Sequence, residues 1–194
     1  VLGSRGLGDV YKRQVVARLN MSEEEHPGMG IFTDMNEAIA AAKKAQAVLR
    51  RMSMDQREKI ISAIRRKTIE NAETLARMGV DETGMGNVGH KILKHRLVAE
   101  KTPGTEDITT VAWSGDRGLT LVEMGPFGVI GAITPSTNPS ETVLCNSIGM
   151  IAGGNAVVFN PHPGAIHVSN FAVRLVNEAC VEAGGPENVA CSLV

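Results

Sequence analysis

The sequence predicts an α/β protein: helices first, then a doubly wound parallel sheet. Residues 128–134 (GVIGAIT) and 155–159 (NAVVF) are near-continuous apolar runs, the pattern of strands buried on both faces of a parallel sheet. Between them, residues 140–151 read as an apolar helix, which makes one β-α-β unit. Residues 167–183 then set Val168, Phe171, Leu175, Val176 and Ala179 on one helical face. That helix ends at Gly184 and Gly185 and leads to a further strand over 188–194. A β-α-β-α-β order behind a helical N-terminal part is the signature of this class.

Taken in order, residues 1–14 have neither helical nor strand periodicity and lack the apolar core of a secretory signal. They read as disordered or as not native to the gene. Residues 22–30 (SEEEHPGMG) form a polar, acidic linker. Asp34 followed by Glu37 has capping-box spacing ahead of an Ala- and Lys-rich stretch, predicting a helix over 36–52. Ser53 followed by Gln56 repeats that signature. Behind it Ile60, Ile61, Ile64, Ala72, Leu75 and Ala76 recur at helical spacing, predicting one long helix to about Met78. A third helix is expected over 88–101, stopped by Pro103 and Gly104. Residues 109–113 and 119–124 are short β-type runs around SGDRG, a hairpin signal. The last strand runs into Val194 without a cap or polar tail, which suggests a fragment.

A chain of 194 residues suits one ordinary domain, and 43% hydrophobic with 21% charged residues is the profile of a soluble globular protein. A net charge of −1 argues against nucleic acid or an anionic membrane as partner. No apolar run approaches the ~20 residues of a membrane helix. Cys145, Cys180 and Cys191 are odd in number and contain no C-x-x-C pair, so neither a disulfide framework nor a structural zinc site is expected. A reducing cytoplasm is the default compartment.

Polar residues gather where the two buried strands end, and open α/β sheets bind ligands at the carboxyl ends of their strands. Residues 134–139 (TPSTNP) combine two prolines that fix the backbone with hydroxyls and the Asn138 amide. Two readings stand side by side: an elaborate helix cap, or a rigid turn whose amide donates to developing negative charge. Gly84, Gly86 and Gly89 (GMGNVG) match G-x-G-x-x-G formally, but the preceding pattern is helical, so they read as a helix terminus or connector. His90 and His95, like His162 and His167, are five apart and do not share a helix face, so no metal site is expected. His26, His90, His95 and His167 read as solvated or locally bonded, whereas His162 lies in the turn after a buried strand. Cys145 lies within an apolar helix with no cation nearby, and packing is its expected role, as it is for Cys180.

GPFGVIGAITPSTNP, a helix, AGGNAVVFNPHP and then GGPENV together resemble the coenzyme-binding half of the aldehyde dehydrogenase superfamily. The resemblance is closer to its CoA-acylating branch, the acetaldehyde and propionaldehyde dehydrogenases of ethanolamine and propanediol utilisation. DETGMG and KTPG extend it upstream, so that it covers roughly residues 15–194. It implies a cysteine thiolate that attacks the aldehyde, hydride transfer to NAD (with NADP left open), and a thioester resolved by coenzyme A. Asn138 matches the family's oxyanion asparagine. Ile133, Thr134, Pro135, Ser136, Asn160, Pro161 and His162 fall at coenzyme-binding positions. The turn is one residue longer than the P-W-N of the hydrolytic branch. The usual ribose-binding lysine falls at Asn160 and its acidic companion near Pro163, which leaves room for the CoA nucleotide in the same groove.

The resemblance also implies a partial NAD-binding domain over 31–194, with 105–124 part of an oligomerisation hairpin and the catalytic domain absent. Residues 15–30 become a linker with the remnant of a targeting helix, VVARLN. Partners would be a small aldehyde, coenzyme A, further copies of the full-length chain in a homo-oligomer, and a bacterial microcompartment shell. None of the three cysteines aligns with the family's nucleophile, so the 194-residue polypeptide alone is expected to be inactive. Its open sheet edge is expected to make it prone to aggregate. Two other readings are kept: a glutamyl-phosphate-reductase-like enzyme, and a non-catalytic nucleotide-binding or assembly module.

Overall fold

A computed structural model describes residues 29–194. Its sheet has four parallel strands, β1 (Ile31–Phe32), β4 (Val129–Thr134), β5 (Ala156–Pro161) and β6 (Ala190–Leu193), in the order β1-β6-β5-β4. Six α-helices accompany it among the described residues: α1 (Met35–Leu49), α2 (Met54–Glu70), α3 (Ala72–Thr83), α4 (Val88–Lys101), α5 (Pro139–Ala152) and α6 (Ile166–Glu182). Strands β2 (Val111–Gly115) and β3 (Gly118–Val122) form a separate antiparallel hairpin. The expectations for residues 1–14 and for VVARLN lie outside the described residues.

Strand alternation divides the core into two faces. Val157, Phe159 and Ala190 pack with Ile60, Ile64, Leu144, Ile148 and Val176 from α2, α5 and α6. Ala156, Val158 and Cys191 point the other way, onto Ala38 and Ala42 of α1. Helices therefore cover both faces, as a doubly wound sheet requires.

The predicted caps form. Asp34 accepts from the backbone N–H groups of Asn36 and Glu37 at 2.9 and 3.0 Å. Ser53 and Gln56 make the complete reciprocal box, at 3.2 and 2.8 Å. Helix α4 has the predicted bounds, capped by Asn87 on the His90 N–H.

Four expectations need correction. Helix α1 stops at Leu49 and not Met52, because the N–H groups of Arg51 and Met52 bond three residues back and tighten the last turn. The single helix to Met78 is two helices. Asn71, with φ −103° and ψ 9°, ends α2 and starts α3, and its side-chain amide donates to the Lys67 carbonyl at 2.9 Å. Strand β4 is not buried on both faces: it pairs only with β5 among the described residues, and Ile133 is 82% exposed. Strand β5 continues past Phe159 through Asn160 and Pro161, so the predicted turn starts at His162.

Strand β1 escaped the sequence reading because two residues are too few to show a period. It is held from outside. Gly30 has φ +89°, and a Cβ there would lie 2.3 Å from the Ala190 carbonyl oxygen and 2.4 Å from Asn177 Nδ2. That close approach lets Asn177 donate to both Met29 O and Ala190 O, at 2.9 and 2.7 Å.

Candidate functional site

Pro139 opens α5 at a position where its missing N–H costs nothing, and Asn138 stands at the N-cap. An N-cap asparagine ordinarily accepts from the first turn, but Asn138 makes no such bond. The oxygen Oδ1 instead receives a hydrogen bond from Lys94 Nζ, and among the described residues Nδ2 reaches only Thr137 Oγ1, at 3.5 Å. Of the two readings of the turn, the cap fails for this side chain.

The turn rests on α4. Lys91, Lys94 and His95 lie at i, i+3 and i+4 and therefore on one helix face. Lys91 Nζ donates to the Thr137 carbonyl at 3.2 Å and to Glu141 Oε1 at 3.4 Å. The side chains of this pair are 4% and 5% exposed, so it is a fully buried ion pair. Lys94 Nζ lies 3.8 Å from the same carboxylate oxygen. His95 Nδ1 is 2.7 Å from the Lys91 carbonyl, and its Nε2 is 2.9 Å from Ser140 Oγ. A carbonyl can only accept, so Nδ1 carries the proton and Nε2 of the neutral ring accepts from the serine hydroxyl.

Of the two states expected for His95, solvated or locally bonded, the second is found: the ring is buried and bonded to the Lys91 carbonyl. Burial, the largest influence, pushes its pKa below the ordinary histidine value, against the raising effect of the Glu141 charge. Below about pH 6.5 the unfolded chain takes up a proton that the folded chain resists, so stability falls as pH drops. The stability to urea should decline between about pH 7.5 and 5.5, and His95→Gln should remove part of that slope. An identical slope in the variant would refute the assignment.

The predicted coenzyme positions split into a strand pair and a turn. At the carboxyl ends of the strands Ile133 pairs with Asn160 and Thr134 with Pro161, and the His162 N–H donates to the Thr134 carbonyl at 3.2 Å. Asn160 and His162 are exposed, and His162 Nδ1 accepts from the Gly164 N–H at 3.0 Å. Thr134 is buried, and its hydroxyl has no partner among the described residues. Pro135 is exposed and Ser136 half-buried, and both belong to the turn that leads to Asn138. The N-terminus of α6 beside this rim is occupied. Glu82 of α3 accepts from the N–H groups of His167 and Val168 at 2.9 and 2.8 Å, which leaves those donors no phosphate to hold.

The glycine motif is a connector, as read: Gly84 ends α3 at φ 66° and Asn87 caps α4. Burial pushes the Cys180 and Cys191 thiols up to about 12. Cys145 is half-buried, and seven residues of helix set it about 10 Å along α5 from Asn138. Among the described residues no three His, Cys, Asp or Glu side chains group to hold a metal, and no helix is long and apolar enough to cross a membrane.

Sequence reasoning missed Lys91, Lys94, Ser140 and Glu141. Their signal was a polar i, i+3, i+4 stripe on α4 and a carboxylate in the first turn of α5.

Comparison with known proteins supplies a family context. The sequence model of the aldehyde dehydrogenase family matches residues 27–194. The chain is 49% identical over 160 residues to an acetaldehyde dehydrogenase (acetylating) of Bilophila wadsworthia, a match that covers 82% of this chain and 33% of that protein. It is 80% identical, with a TM-score of 0.84, to a propionaldehyde dehydrogenase from the Clostridium phytofermentans fucose utilisation bacterial microcompartment, over 86% of this chain and 38% of that one. The propionaldehyde dehydrogenase of Rhodopseudomonas palustris, solved with bound CoA and an acylated cysteine, is 52% identical with a TM-score of 0.83, over 86% and 38%. The chain spans about a third of the length of the curated relatives it matches.

Proposed function

The chain belongs to the aldehyde dehydrogenase family, and from that premise we propose that it forms the coenzyme-binding and oxyanion-holding part of a CoA-acylating enzyme that oxidises a short aldehyde. The observation that carries this reading is the Asn138 side chain, which forgoes its capping role and keeps its N–H groups for another acceptor.

Bound NAD would supply the hydride acceptor. The fit rests on the buried, unpartnered hydroxyl of Thr134 at the sheet edge, beside Asn160, Pro161 and His162. With Ile133, Pro135 and Ser136 these residues would hold the coenzyme, and NADP is the comparison to run. The chain's own part in the chemistry is electrostatic. When a thiolate adds to the aldehyde carbon, an S–C bond forms and the carbonyl electron pair moves to oxygen. Asn138 Nδ2 donates to that oxygen, and preorganised donors of this kind lower such barriers most. After hydride leaves the carbon the carbonyl reforms as a thioester. The CoA thiolate then adds and the enzyme thiolate departs. The nucleophile is none of Cys145, Cys180 or Cys191, since two are buried and the third is out of reach of a carbonyl at Asn138.

Residues 31–194 are read as part of the NAD-binding domain. Hairpin 105–124 is read as an oligomer contact, which its exposed Trp113, Leu119 and Leu121 support. A microcompartment is the proposed location.

Exchanging residues 29–194 for the matching segment of the Clostridium phytofermentans enzyme would test the function. The completed enzyme should form NADH from propanal only when CoA is supplied, with propionyl-CoA as product, while the 194-residue chain alone forms none. Equal NADH production without CoA, giving free propanoate, would overturn the acylating reading.

A further inference from the structure

We propose that Lys94 is a positioning residue for the oxyanion amide: it grips Asn138 by Oδ1 and keeps the Nδ2 N–H groups turned toward the reacting oxygen. The inference rests on the reading of Asn138 given above and adds what makes that amide a dependable donor.

A carboxamide end is nearly symmetric in shape, so a turn that fixes only the backbone leaves two orientations open, one presenting N–H and the other C=O. The backbone here is fixed, since the Asn138 carbonyl accepts from the Thr142 N–H and hydroxyl at 3.0 and 2.6 Å. The side chain is decided by Lys94. An ammonium carries donors only, so the end of the amide that faces it must be Oδ1. A cation on Oδ1 also draws electron density from the amide nitrogen and strengthens its N–H groups as donors. The one competing acceptor for Nδ2 among the described residues, Thr137 Oγ1 at 3.5 Å, lies at the outer limit of a hydrogen bond.

Lys94 is itself held. The Glu141 carboxylate lies 3.8 Å from its Nζ and is fixed from below by buried Lys91. The two lysines divide the work. Lys91 is buried and supports the turn, whereas the Lys94 side chain is 46% exposed and can be changed without opening the core. A half-exposed lysine whose ammonium meets the one side chain proposed to touch the substrate oxygen is a positioning group, not a catalytic one.

The test uses the completed enzyme described above. If that enzyme lacks CoA-dependent activity before any substitution, the proposed function fails and the role of Lys94 does not arise. If it is active, Lys94→Met should lower kcat about tenfold with KM for CoA unchanged, a smaller loss than removing the donor itself. Lys94→Arg, which can still donate to Oδ1, should recover most of the rate. In an Asn138→Ala background Lys94→Met should have no further effect, because the group it positions is gone. Lys94→Gln serves as a second variant, with the unfolding midpoint read alongside, should the methionine variant be destabilised. An unchanged kcat in both single variants, or the same tenfold loss with and without Asn138, would overturn the proposal.

Discussion

Lys91→Met should destabilise the folded chain by about 3–5 kcal/mol, the cost of leaving one member of a buried ion pair without its partner. Lys91 and Glu141 are each about as buried as the hydrophobic core, so water cannot replace the lost ammonium. Lys94 cannot replace it either, since it reaches the carboxylate only at 3.8 Å and from the exposed side. The Thr137 carbonyl loses its donor at the same time. The double variant Lys91→Met/Glu141→Gln should regain much of the loss, because a buried charge without a partner is the main penalty. Urea unfolding of the completed enzyme would measure both. A single-variant loss of under about 1 kcal/mol, the scale of a surface pair, would show that the pair is solvated and the α4 support is wrong.

The same pair marks where sequence reasoning reaches its limit. Rules that act within one turn of helix worked well: Ser53 and Gln56 close their box, and α4 runs from Val88 to Lys101 and stops ahead of Pro103 and Gly104. The β-α-β-α-β order of the C-terminal part followed from runs of apolar residues, and the ends of its first two strands bring Ile133, Thr134, Asn160 and Pro161 together, whereas the two-residue β1 did not show. Burial of polar residues did not follow. Whether Lys91 faces water or Glu141 depends on a residue fifty positions later, and no local period encodes that contact. Asn71 escaped for the opposite reason. The apolar spacing continues through it, while its backbone leaves the helical range and its amide joins its own N–H on the Lys67 carbonyl. The TPSTNP turn was legible as rigid and polar but not as cap or donor, because the deciding partner, Lys94, lies on another helix.

The choice between cap and donor also predicts the largest effect on rate. In the completed enzyme Asn138→Ala should lower kcat by about 10²–10³, or roughly 2.7–4 kcal/mol, the loss seen when one oxyanion donor is removed. The KM values should stay close to those of the parent, because the oxygen gains its charge as the thiolate adds and not in the bound aldehyde. Stability should barely change. A capping asparagine costs about 1 kcal/mol when replaced by alanine, but Asn138 makes no capping bond to lose. Asn138→Asp should be at least as slow, since a carboxylate in the donor's place is an acceptor that repels the developing charge. Its negative charge would be welcome to Lys94, so the protein should still fold. A donor therefore separates from a cap on two axes at once, with kcat falling steeply while the unfolding midpoint holds. The opposite pattern, a lower midpoint with kcat reduced less than about tenfold, would return Asn138 to the helix end and remove the oxyanion reading.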